Sequence, residues 1–227
     1  GAVVAQKGVD APGGQAGGGA ALWQNFTVDE FYTSADGAHY MLQGDTDGAT
    51  TSDGVIVVDG QVVIQEGETI LSGFSNPVST TNRESFMMSN GDWFARGSNS
   101  TDNLDWVVRN GNVIARTGDT ITGSTTERFS DTAGFTATFF FMAGDNNGNY
   151  VVGGVTDAAD PSANAVLVYN GNTVLIREGA MVDINGDGIM NDDAFVSVFN
   201  NDDGFLTDDG HFYFTADLRD AAGASIG

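Results

Sequence analysis

The chain reads as an all-β protein, a propeller-like array of about four four-stranded blades, and three observations predict it. One hairpin type recurs three times, a second recurs four times between them, and no window carries a sustained helical period with caps. Aspartate supplies 25 of the 31 acidic residues, a bias toward turns and oxygen-ligand sites over helices.

The first hairpin type is seen in "GVIVVDGQVVIQEGETI" (54–70), "DWVVRNGNVIARTGDTI" (105–121) and "AVLVYNGNTVLIREGAMV" (165–182). Each is a β-branched run, an Asp-Gly or Asn-Gly pair, a second run and a closing glycine. Asp-Gly and Asn-Gly tolerate the two positive φ angles of a type I′ turn, so each segment predicts a tight antiparallel hairpin, C–D. Both faces of these strands are apolar, as in strands packed between stacked sheets. The N-terminal "AVVAQKGVD" matches the second half of the same unit. The closing glycines Gly8, Gly67, Gly118 and Gly179 then lie 59, 51 and 61 residues apart.

The second, aromatic hairpin, A–B, reads "FYTSADGAHYMLQGD" (31–45), "FMMSNGDWFARGSNS" (86–100), "FFMAGDNNGNYVVGG" (140–154) and "FLTDDGHFYFTADL" (205–218). Its turn glycines Gly37, Gly91, Gly148 and Gly210 are 54, 57 and 62 residues apart and interleave with the first series. One repeat is thus A–B, C–D and a variable connector. Units of this kind stack because one sheet cannot bury both of its own faces. Four copies of about 57 residues fill residues 1–227 as a single expected domain. The copies are circularly offset. The segment from about Ala2 to Gln6 is expected as an orphan D strand, and the last blade lacks a full C–D pair. That strand either closes the ring onto the last blade or pairs with the last sheet of a neighbouring chain, giving a homo-oligomer or filament.

The segments "VIARTGDTI", "VVAQKGVDAPGG" and "DGHFYFTADL" resemble the secreted bacterial tandem-repeat proteins described by an NxxGxxAF motif. The resemblance covers nearly the whole chain through short motifs. The leading Asn is replaced by Ser34, Met88, Asp145 and Thr207, and the terminal Ala-Phe by pairs such as Tyr213-Phe214. It implies a secreted or surface β-repeat with a propeller-like fold and carries over no catalytic residue.

Composition limits the functions open to such a fold. A net charge of −23, with Lys7 the sole lysine, repels nucleic acid and anionic lipid. Cysteine is absent, so disulfides, thiolate metal sites and a cysteine nucleophile are excluded. No apolar run reaches transmembrane length and no leader pattern opens the sequence.

One connector stands apart. "DINGDGIMNDDAF" (183–195) has four aspartates, two asparagines and two glycines, and the equivalent connectors have no such run. Oxygen side chains alternate at Asp183, Asn185 and Asp187. Gly188 follows at the sixth position, the Ile189 carbonyl at the seventh and Asn191 at the ninth, a spacing that wraps Ca²⁺. Position twelve is Ala194 rather than Glu, and no helices flank the loop, so this is not an EF-hand. Asp192 or Asp193 is expected to close the shell.

Other residues read as scaffold. His39 and His211 share one hairpin position with Trp93 and Tyr150 nearby, which suggests packing or a rim contact. Arg109, Arg116 and Arg177 on the C–D hairpins are expected to form blade-to-blade ion pairs with aspartates. The Gly/Ala-rich stretch 13–21 is a connector. Asn25 and Asn99 match the N-glycosylation acceptor pattern. The sequence therefore predicts an extracellular or cell-surface, non-enzymatic β-repeat, structural, adhesive or self-assembling, stabilised by Ca²⁺, with a glycan or surface partner. The competing expectation is a carbohydrate-binding or carbohydrate-active propeller, its substrate in an axial funnel lined by Trp, Tyr and Asp.

Overall fold

The computed structural model describes residues 3–12, 21–99, 101–122, 126–130 and 137–226, with backbone alone at 27–29, 80–83 and 201–203. Its strands alternate with tight turns, and the described residues hold one single-turn 3₁₀ helix, Pro161–Ala163, and no α-helix. The chain gathers into two compact units, residues 1–116 and 117–227.

The first unit holds two antiparallel meanders, each in sequence order. Sheet 1 is β1 (Trp23–Thr33), β2 (Tyr40–Thr46), β3 (Gly54–Val58) and β4 (Gln61–Gln65). Sheet 2 is β5 (Thr80–Met87), β6 (Trp93–Asn99), β7 (Leu104–Arg109) and β8 (Asn112–Arg116). The second unit holds sheet 3, made of β9 (Phe139–Gly144), β10 (Tyr150–Val155), β11 (Ala165–Tyr169) and β12 (Thr173–Arg177). Sheet 4 has two strands, β13 (Phe195–Leu206) and β14 (Phe212–Arg219). The repeat read from the sequence is therefore one sheet long. The A strands run further back than expected: β1, β5 and β13 begin inside the segments read as connectors.

The C–D turns have the anticipated geometry. Asp59, Asn110 and Asn170 sit at φ of 50°, 49° and 47°, and the glycine after each is also positive. The same three side chains do a second job. Their Oδ1 atoms accept the N–H of Tyr40, Trp93 and Tyr150, the first residue of each B strand, at 2.8, 2.9 and 2.9 Å. Their own N–H groups donate to the carbonyls of those residues. One Asx residue thus shapes the C–D turn and clamps it to the start of strand B.

A second device closes the base of the connector that leads into each sheet. The N–H groups of Gly8, Gly67, Gly118 and Gly179 donate to the carbonyls of Trp23, Val78, Phe129 and Val196 at 2.7–2.8 Å. Those four residues donate back to Val9, Thr69, Asp119 and Ala180. Each closing glycine has φ between 70° and 93°, a region that a Cβ disfavours.

Alternation along the strands gives every sheet two apolar faces. In the first unit one face of sheet 1 (Met41, Ile56, Ile64, with Tyr32) packs on the Met87, Trp93, Ala95, Trp106 and Val108 face of sheet 2. In the second unit the equivalent face of sheet 3 (Ala143, Val151, Leu167) packs on Val196, Phe199, Leu206 and Phe212 of sheet 4. The other face of sheet 1 gathers Trp23, Leu42, Val55 and Val57 with Ala5 and Ala11.

The N-terminal segment 3–6, expected as an orphan D strand, joins no sheet among the described residues. What pairs instead is the stretch just after it, Asp10 against Leu22, with Ala11 N–H on the Ala21 carbonyl at 2.8 Å.

The Asx clamp is directly testable. Asn170→Ala removes an acceptor for Tyr150 N–H and a donor to Asn149, and puts a Cβ-only residue at positive φ. We expect a loss of about 1–3 kcal/mol in urea unfolding, while Asn170→Asp loses less.

Candidate cation loop and neighbouring side chains

Strands β12 and β13 are joined by residues 178–194, and backbone pairing at the base holds this connector shut. Val182 N–H donates to the Ala194 carbonyl at 2.8 Å and Met181 bridges Phe195. The eleven residues 183–193 project beyond this base as a tip. Gly186 and Gly188 have φ of 74° and 83°, which reverse the chain twice and turn alternate side chains onto one another's backbone.

Asp183 accepts from Gly186 N–H at 2.8 Å and from Gly188 N–H at 2.7 Å, one with each oxygen. Asn185 Oδ1 accepts from Asp187 N–H and Asp187 Oδ1 from Ile189 N–H, both at 2.8 Å. Asp192 closes the ring by accepting from the N–H groups of Ile184 and Asn185 and from Asn185 Nδ2. The Ile189 carbonyl takes the N–H of Asn191 at 2.9 Å. Asp183, Asn185, Asp187 and Asp192 are thus brought into one small turn.

Asp193 is not part of it. At φ 51°, its carboxylate leaves the loop and accepts from Ala221 N–H at 2.9 Å, in the turn after β14. Among the described residues no three acidic or histidine side chains stand together as metal ligands would. The loop carboxylates are occupied by backbone N–H groups, but a carboxylate has about four lone-pair sites, so each oxygen retains capacity toward a cation. The donor set is all oxygen, which fits a hard ion.

The remaining candidates are engaged by turns and connectors of the fold. Arg109 pairs with Asp92 at 2.5 Å, next to the A–B turn of sheet 2. Arg177 forms a two-pronged contact with Glu127 at 2.8 and 2.9 Å and also donates to the Ala163 carbonyl. Burial works against the Glu127 carboxylate, but Arg177 and Thr156 outweigh it and keep its pKa below the usual value. Arg116 donates to the Gly73 carbonyl at 2.7 Å and lies over Phe74. Arg109 thus braces a hairpin of its own sheet with an aspartate, as expected of its type, while Arg116 and Arg177 reach the connector that precedes their sheet, where a carbonyl and a glutamate take the place of the expected aspartates. Asn99 is fully buried and caps Thr101 and Asp102, so the fold withholds it from glycosylation. Residues 13–20 of the Gly/Ala-rich stretch lie outside the described residues.

A cleft of about 420 Å³ in the second unit, which no sequence motif announces, is lined by Asp160, Glu178, Phe195, Arg177, Arg219 and Asp220. Burial raises the Glu178 carboxyl above its ordinary value, and Arg219 acts against that shift from nearby. These residues come from a B–C loop, three strand ends and two turns, with 60 positions between Asp160 and Asp220, so they form no local motif.

Searches against protein-family models, curated proteins and solved structures find no match to this chain.

His39 Nδ1 lies 2.7 Å from Asp59, and that hydrogen bond raises the histidine pKa above 6.5. A raised folded pKa means the contribution is complete below the unfolded value near 6.5 and fades as pH climbs through the folded one. Asp59→Asn keeps the clamp, since Asn110 and Asn170 perform it elsewhere, but loses the charge. In an NMR titration we expect His39 to shift to lower pKa in this variant. An unchanged titration removes Asp59 as the cause.

Proposed function

We propose that the protein is a secreted or cell-surface, non-enzymatic β-repeat, a propeller-like array that serves structural or adhesive ends by self-association and is stiffened by Ca²⁺ in one connector. The observation that carries this reading is where the polar side chains go. Asp59, Asn110 and Asn170 clamp strands, Arg109 and Arg177 brace turns, and Asp145, Ser34 and Thr207 accept from N–H groups inside the A–B turns. Groups committed to the scaffold in this way are not poised for proton transfer or nucleophilic attack, which need a base and its partner near a substrate. The resemblance to exported bacterial tandem repeats points the same way, as does an acidic surface suited to a cation-rich exterior.

For the loop, we assign Asp183, Asn185, Asp187, the Ile189 carbonyl, Asn191 and Asp192 as the oxygen set, with Asp193 tying the loop to the turn at Ala221. Ca²⁺ that binds the folded state alone stabilises it by RT ln(1 + [L]/Kd), about 2.7 kcal/mol at a hundredfold excess over Kd. Melting curves in millimolar Ca²⁺ are expected to rise relative to chelator, and the Asp183→Asn/Asp187→Asn variant to lose that difference. Coincident curves for the unmodified protein refute the assignment.

The cleft around Glu178 favours a second reading, a carbohydrate-binding array. Carboxylates, two arginines and Phe195 in one concavity are the materials of a sugar site, set at the side of the repeats instead of an axial funnel. Isothermal titration with neutral and uronic-acid oligosaccharides tests it: heat that disappears in Glu178→Gln supports it, and no heat with either class rejects it.

A further inference from the structure

One arginine departs from the repeat. The residue just before the one that receives each closing glycine's bond is Leu22, Pro77, Arg128 or Phe195. Leu22 N–H donates to the Asp47 carboxylate at 2.7 Å, and Arg128 N–H to the Asp157 carboxylate at 2.8 Å. Pro77 has no N–H to offer. The residue facing Phe195 is Arg219, whose side chain only donates and cannot take over the aspartate's role. Arg96, Arg109, Arg116, Arg128 and Arg177 each donate to an oxygen of the protein. The Arg219 guanidinium makes no hydrogen bond and no ion pair among the described residues.

Arg219 lines the cleft at Glu178, its Nη2 3.8 Å from where a Cβ on Gly179 would stand. The other charged walls of the cleft are occupied. Asp160 caps Ser162, Asp220 accepts from Ala224 N–H, and Arg177 is held by Glu127. Glu178 is different: Arg219 acts on it from nearby without pairing with it. Burial raises the Glu178 pKa, and the Ala165 N–H and Arg219 offset this only in part. The matching residue of sheet 1, Glu66, has carboxylates near it instead, Asp53 and Asp45. An unpaired cation and an unpaired anion therefore line one cavity, beside the apolar surface of Ala163, Ala180, Ala221 and Phe195.

We infer that this cleft binds a free α-amino acid with an apolar side chain, its carboxylate on Arg219 and its ammonium on Glu178. A guanidinium presents its donors as a planar fork that matches a carboxylate. An anion alone gains Arg219 but meets Glu178, Asp160 and Asp220, in a chain of charge −23. A cation alone meets Arg219. A ligand that carries both charges a few bonds apart satisfies both groups and adds no net charge. The cleft of about 420 Å³ leaves room beyond those two groups, and the alanines and Phe195 offer a side chain apolar contact. This assignment rests on the cleft being a ligand site, as the carbohydrate reading does, and differs from it in the occupant.

Isothermal titration of the full chain with L-leucine, N-acetyl-L-leucine, L-leucinamide and the oligosaccharides named above tests this. L-leucine is expected to give heat. Each blocked analogue lacks one charge and is expected to bind about 10- to 100-fold more weakly. Arg219→Gln and Glu178→Gln, checked for folding by circular dichroism, are expected to weaken leucine binding by a similar factor. If Arg219→Gln unfolds the chain, Arg219→Lys replaces it, keeping the charge but losing the fork, and is also expected to bind leucine more weakly. Leucine binding that any of these variants leaves unchanged overturns the inference. A blocked analogue that binds as tightly as leucine overturns it too, since that marks a reader of peptide ends. Oligosaccharide heat without leucine heat leaves the carbohydrate reading and removes this one. No heat with any of these compounds removes both.

Discussion

Everything in this chain depends on keeping a sheet edge and the next connector in register, and a backbone bond at a left-handed glycine does this. At Gly67, Gly118 and Gly179 a strand has just ended; there and at Gly8, φ is positive and the N–H is aimed at the carbonyl of an apolar residue that leads into the next sheet. Those residues, Trp23, Val78, Phe129 and Val196, are all buried, so the bond is formed away from water and its loss leaves an unsatisfied pair. The intervening sequence differs in length, from ten to sixteen residues between donor and acceptor, yet the base has the same two-way pairing each time. Insertions are tolerated because they project beyond a closed base. The acidic loop is one such insertion: its tip projects beyond the Val182–Ala194 pair that closes its base.

Much of the repeat was legible because its punctuation is chemical. Asp-Gly and Asn-Gly between β-branched runs can do little but turn, and all three C–D turns have two positive φ angles. The Asx clamp on strand B was not legible, since its partner lies 17–20 residues away and the turn alone already accounts for Asp or Asn there. The early start of β13 was hidden by "NNDDG", which reads as a loop but lies within a strand whose register shifts between Phe199 and Gly204. In the candidate loop, alternation correctly grouped Asp183, Asn185 and Asp187. It could not separate Asp192 from Asp193, adjacent residues whose side chains point to different parts of the fold. The Glu178 cleft was invisible because its walls meet only in three dimensions.

The arginines show how composition steers such a fold. With eight basic residues against 31 acids, most carboxylates have no cation to face. They turn instead to neutral donors: backbone N–H groups in Asx turns, asparagine amides and threonine hydroxyls. Asp102 gathers Ser75, Asn76 and Asn99, and Asp208 gathers Asn146, and in both cases the hydrogen bonds from asparagine hold the pKa below the usual value. Ordered in this way, a carboxylate is already desolvated in part and fixed in direction, which is half of what a cation site requires.

The acidic loop and sheet 4 meet at Asp193. Its carboxylate holds the N–H of Ala221, and Ala221 belongs to the turn that returns the chain to β14, with Ser225 bridging Arg219 and Ile226 N–H on the Leu218 carbonyl. A loop free to move would let this turn move with it and blur the position of β14 at its far end. A loop drawn together around an ion would fix Asp193, and through it the end of β14. The insertion occurs in the connector that leads to sheet 4, whose two strands have the least support from neighbours of their own, and that is where extra stiffness has most to stabilise.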